Sequence, residues 1–65
     1  MTLDEIAIHA RAQRASAEFR LQSLQRQVAD RTLDELLAFG SGLLELRREV
    51  ERWREVEIAA EVARR

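Results

Sequence analysis

Cysteine, proline, lysine and tyrosine are absent from this 65-residue chain, glycine occurs only at Gly40 and Gly42, and histidine only at His9. Without cysteine there is no disulfide and no thiolate metal site. Without proline nothing forces a break in a long helix, and the dominant residues, Ala, Leu, Arg and Glu, are strong helix formers, so strands are not expected. A catalytic site needs a nucleophile or an acid–base pair in a pocket, and a chain with no Cys, Lys or Tyr and a single His offers little for either. No enzymatic activity and no cofactor are expected. No apolar run approaches the roughly 20 residues of a membrane span. The segment after Met1 is acidic and lacks the core of a signal peptide, so the expected location is cytoplasmic, away from membranes.

Sixty-five residues read as a single domain, 1–65. A domain of this size buries only roughly 60% of its unfolded surface, which leaves a lone fold marginal. With disulfides excluded, packing between chains is the expected source of further stability. The net charge of −1 argues against a general polyanion binder, since nucleic-acid domains carry a visible basic excess. All 11 cationic residues are arginine, a bias that a GC-rich genome produces as readily as a need for bidentate pairing.

Two helix starts are written alike. Thr2-Leu3-Asp4-Glu5 and Thr32-Leu33-Asp34-Glu35 both fit the capping box, in which a Thr hydroxyl accepts from the amide three residues on and the Glu reaches back. Asp and Glu in each first turn also suit the positive end of the helix dipole. The expected helices run over about 3–29 and 33–63, with Asp30-Arg31 between them, and so short a connection makes them antiparallel neighbours. Gly40-Ser41-Gly42 threatens the second helix, because each glycine costs roughly 1 kcal/mol against alanine in a helix interior. Yet Leu36, Phe39, Leu43, Leu46, Val50, Trp53 and Ala60 keep helical spacing straight through the glycines, which favours one continuous helix over a three-helix chain.

The first helix carries a matching stripe of Leu3, Ala7, Ala10, Ala17, Leu21, Leu24 and Val28. Together with Leu36, Phe39, Leu43, Leu46, Val50 and Trp53 these form the expected intrachain core. Each stripe has one charged interruption, Arg14 in the first and Glu57 in the second. Folding the chain about Asp30 sets Ala7 near Trp53, Ala10 near Val50, Ala17 near Leu43 and Leu21 near Phe39, small against large. Arg14 then falls beside Leu46, with Glu45 or Glu49 in reach of its guanidinium and its methylenes among apolar neighbours. Beyond about Ile58 the second helix is expected to outrun its partner and fray.

A second apolar stripe, Ile8, Ala12, Ala15 and Phe19, lies nearly opposite the first on the same helix. Leu33, Leu37 and Leu44 stand off the main stripe of the second helix, and Ile58 and Val62 repeat that direction near its end. A two-helix hairpin cannot cover both faces, and contiguous apolar patches usually mark partner sites. The expected closure is a homodimeric four-helix bundle, coiled-coil-like in its packing, or a larger helical oligomer. The alternative is a few tolerated surface apolar residues.

The polar residues carry weaker signals. Glu5 and His9 share a helix face but fall short of a metal set, so no metal role is expected. His9, Gln13, Ser16, Arg20, Ser23 and Gln27 recur at helical spacing without an acid among them, with Arg26 nearby. Gln13, Arg20, Arg26 and Gln27 define the candidate nucleic-acid face, since Arg and Gln can bond phosphates and base edges. A solvated helix face explains the same residues. In length and turn position the chain resembles the plasmid-encoded Rop family of helical hairpins; the resemblance covers the helix–turn–helix pattern and transfers no individual residue. It implies a dimeric four-helix bundle and binding of paired RNA loops. The residues themselves favour a small self-associating interaction or adaptor protein that acts by binding another protein. The alternative is a small nucleic-acid-binding regulator that uses the Gln/Arg face.

Overall fold

The computed structural model describes residues 1–28 and 32–65. Two helices account for nearly all of them: α1, Leu3–Val28, and α2, Leu33–Arg64, packed antiparallel as an all-α hairpin. The turn expected at Asp30-Arg31 lies outside the described residues. The longest dimension, 48 Å, is the length of α2 itself, 32 residues at about 1.5 Å each.

The two helix starts differ. At Thr2 the hydroxyl accepts the Glu5 amide at 3.2 Å and the carbonyl accepts the Ile6 amide at 2.9 Å, as the cap motif predicts. Thr32 has the extended backbone of a cap and its carbonyl takes the Leu36 amide at 3.0 Å, but its hydroxyl makes no cap bond. The expected second capping box is therefore not formed. Asp34 and Glu35, in the first turn, still place negative charge at the positive end of the dipole.

The helix runs unbroken through Gly40-Ser41-Gly42, and no glycine has positive φ, so neither uses the conformational freedom it has. A Cβ on Gly40 would meet nothing within 4 Å, while one on Gly42 would sit 3.4 Å from Leu24 Cδ2, the tip of a flexible side chain. Gly40→Ala is thus expected to stabilise the hairpin by about 1 kcal/mol, raising the melting temperature by about 4–8 °C. Gly42→Ala should gain less, because Leu24 must yield. Thermal melts followed by far-UV circular dichroism check both, and a lower melting temperature for Gly40→Ala would contradict the geometry.

The core is small. Ala10 and Ala17 are fully buried and Ala60 and Val50 are 5% and 8% exposed, while no large side chain among the described residues is completely enclosed. Ala7, Leu21, Leu24, Val28, Leu43, Leu46 and Trp53 are half-buried, as are Ile6 and Val56, which the stripes had not included. Three residues expected in the core lie outside it: Leu3, Leu36 and Phe39 are 40%, 48% and 44% exposed.

Their exposure has a common origin in register. The cross-helix partners of Asp4, Arg14, Arg20 and Leu24 are Arg64, Glu57, Glu49 and Gly42, each further along α2 than a hairpin folded about Asp30 would set them. Long side chains lean toward the N-terminus of their own helix, which in an antiparallel pair moves tip contacts in this direction. A slide of α2 accounts for the rest: its first two turns, with Leu33, Leu36, Leu37 and Phe39, are sparsely covered, and its last turns are held. Ala60 is buried and Arg64 bonds Asp4, so α2 does not outrun its partner beyond Ile58 as expected.

Candidate interaction surfaces

The most organised charges sit where the two stripes are interrupted. Arg14 makes a two-pronged contact with Glu57, Nε to Oε2 and Nη2 to Oε1, the second at 3.4 Å, and also donates to Glu18 Oε1 at 3.2 Å. Arg11 approaches Glu57 at 3.7 Å and Arg54 approaches Glu18 at the same distance. Five charges thus form one network across the hairpin. The expected partners of Arg14, Glu45 and Glu49, are not the ones it finds; Glu49 takes Arg20 instead, at 3.2 Å. The hydrogen bond to Glu57 holds the Arg14 guanidinium above the ordinary arginine range, with burial opposing it. Arg64 is raised likewise, first by its hydrogen bond to Asp4. A raised arginine pKa stabilises the fold at every pH below the unfolded value and is lost only at extreme alkalinity, so neither group makes stability vary near neutrality.

No model of a known family, no curated protein and no solved structure matches the chain.

Both outer stripes face solvent. Ile8 and Phe19 on α1 are 68% and 70% exposed, and Ala12 and Ala15 between them are exposed too. On α2, Leu33, Leu37, Leu44, Ile58 and Val62 are all more than half exposed. Arg47, Glu51 and Glu55 separate the first three of these from the last two, so the α2 stripe is split toward its ends while the α1 stripe is continuous.

The Gln/Arg face lies at the border between the helices more than on a free back. His9 meets the Trp53 ring edge-on at a centroid distance of 5.5 Å, Gln13 is half-buried, and Arg20 is paired with Glu49. Arg26 and Gln27 are exposed. The acid missing from this stripe in α1 is thus supplied by α2, a neighbour that spacing within one helix could not reveal. Beside it Glu45, Arg48, Glu49, Arg52 and Trp53 line an open concavity of about 330 Å³, of mixed charge and without a nucleophile. Among the described residues no three His, Cys, Asp or Glu side chains converge as a metal site would require. Among the described residues no helix is long and apolar enough to cross a membrane.

Proposed function

We propose that this chain is a small self-associating helical interaction protein, without catalytic activity, that acts by binding another protein. One observation carries the reading. The hairpin exposes 5182 Å² of surface, whereas a compact monomer of 7.5 kDa exposes about 4250 Å². The difference, about 900 Å², is close to the roughly 800 Å² that each partner buries in a standard interface. Ile8 and Phe19 on α1 and Leu33, Leu37, Leu44, Ile58 and Val62 on α2 are among the residues this surface exposes, and the buried core among the described residues is mostly alanine. The nucleic-acid reading is less well supported, because Arg20 is neutralised by Glu49 and the net charge is −1.

Light scattering or sedimentation of the purified chain at micromolar concentration tests the reading. A mass of at least twice 7.5 kDa is expected, with a melting temperature that rises with concentration. A folded, monodisperse monomer would remove the proposal.

A further inference from the structure

The outer stripe of α1 reads the same in both directions: Ile8, Ala12, Ala15 and Phe19 are spaced four, three, four. From this spacing, and resting on the self-association proposed above, we infer that α1 docks antiparallel on α1 of a second copy of this chain. The two-fold axis passes between Ala12 and Ala15. Ile8 then faces the partner's Phe19, and Ala12 faces the partner's Ala15, the mutual contacts that a two-fold interface requires. The central alanines let the helix axes approach to the short end of the usual range, about 8 Å, while Ile and Phe close the seam at each end.

Charge selects the antiparallel arrangement. Glu5 lies at the N-terminal end of the seam and Arg26 at its C-terminal end, both exposed, and α1 has no acid beyond Glu18. Antiparallel docking brings Glu5 within about one turn of the partner's Arg26 and opposes the helix dipoles. Parallel docking would stack Glu5 on Glu5 and Arg26 on Arg26.

The position of the seam also fixes the shape. It lies nearly opposite the face of α1 that packs on α2, so the four helices form a flat row with the two α1 helices inside and the two α2 helices outside. Composition agrees with that layering: α1 carries seven Asp, Glu or Arg residues in 26, and α2 thirteen in 32.

The test uses the whole chain. Phe19→Asp should weaken the dimer about a hundredfold or more in sedimentation, whereas Leu37→Asp, outside the seam, should leave it intact. To separate lost docking from lost helix, an Ile8→Glu chain is mixed with a Phe19→Arg chain. Position 8 faces the partner's position 19, so the mixture should form a heterodimer that neither variant matches alone. The absence of native cysteine allows a single spin label through Gln25→Cys, on the side of α1 away from the seam. Antiparallel docking sets the two labels about 35 Å apart along the axis, from a rise of 1.5 Å per residue. A dimer in which Phe19→Asp binds as tightly as wild type, or labels within about 20 Å, would overturn the seam while leaving self-association standing. A monomeric wild type would defeat both.

Discussion

Ala17→Leu is expected to destabilise the hairpin by about 1–3 kcal/mol, a large share of what a 65-residue chain holds, about 3–10 kcal/mol at the usual per-residue stability. Ala17 is fully buried between the helices. A larger side chain there cannot find room by rotating, and the helices must separate along a seam that includes the equally buried Ala10. The matched control is Ala59→Leu, on an exposed face of α2, where a change within about 0.5 kcal/mol is expected. Urea unfolding followed by circular dichroism compares the two. Equal midpoints would mean that the alanines are not where the helices touch.

Glu57→Leu alone should cost about 1–3 kcal/mol, because it strips Arg14 of its two-pronged partner in a half-buried position. Both side chains keep some solvent contact, which holds the figure below that of a fully enclosed pair. Changing both, Arg14→Leu with Glu57→Leu, should recover most of the loss or exceed wild-type stability, since a charged pair in a core stripe is often no better than the apolar residues that replace it. Additive single and double variants, with no coupling of about 1 kcal/mol or more, would show that the two charges do not act as a pair.

This pair also shows how far the sequence could be read. The two interruptions, Arg14 and Glu57, are each visible in their stripes, and so are both helices, their antiparallel order and the continuity through Gly40 and Gly42. Periodicity reports which face of a helix is apolar but not how far one helix slides along another, so the sequence matched Arg14 with Glu45 or Glu49. The same slide exposes Leu36 and Phe39 and brings Arg64 to Asp4, contacts that depend on an axial offset on the order of 10 Å, more than one helical turn. The two polar interruptions, Arg14 and Glu57, taken as partners of each other, are the sequence feature that points in the direction of this slide. The candidate surfaces fared differently. The outer stripe of α1 was legible because it has helical spacing of its own, whereas the acid beside Arg20 comes from the other helix and has no trace in local pattern.

The buried core among the described residues, three alanines and one valine, bears on how long the chain survives in a cell. So little side-chain burial leaves each hairpin weakly folded on its own, and if a second copy covers the outer stripe, folded and assembled become one equilibrium. Dilute chains then open often and are cleared by proteases that act on the open form, while abundant chains shelter one another. The chain's lifetime would lengthen with its own concentration, so that its level responds more than proportionally to its rate of synthesis.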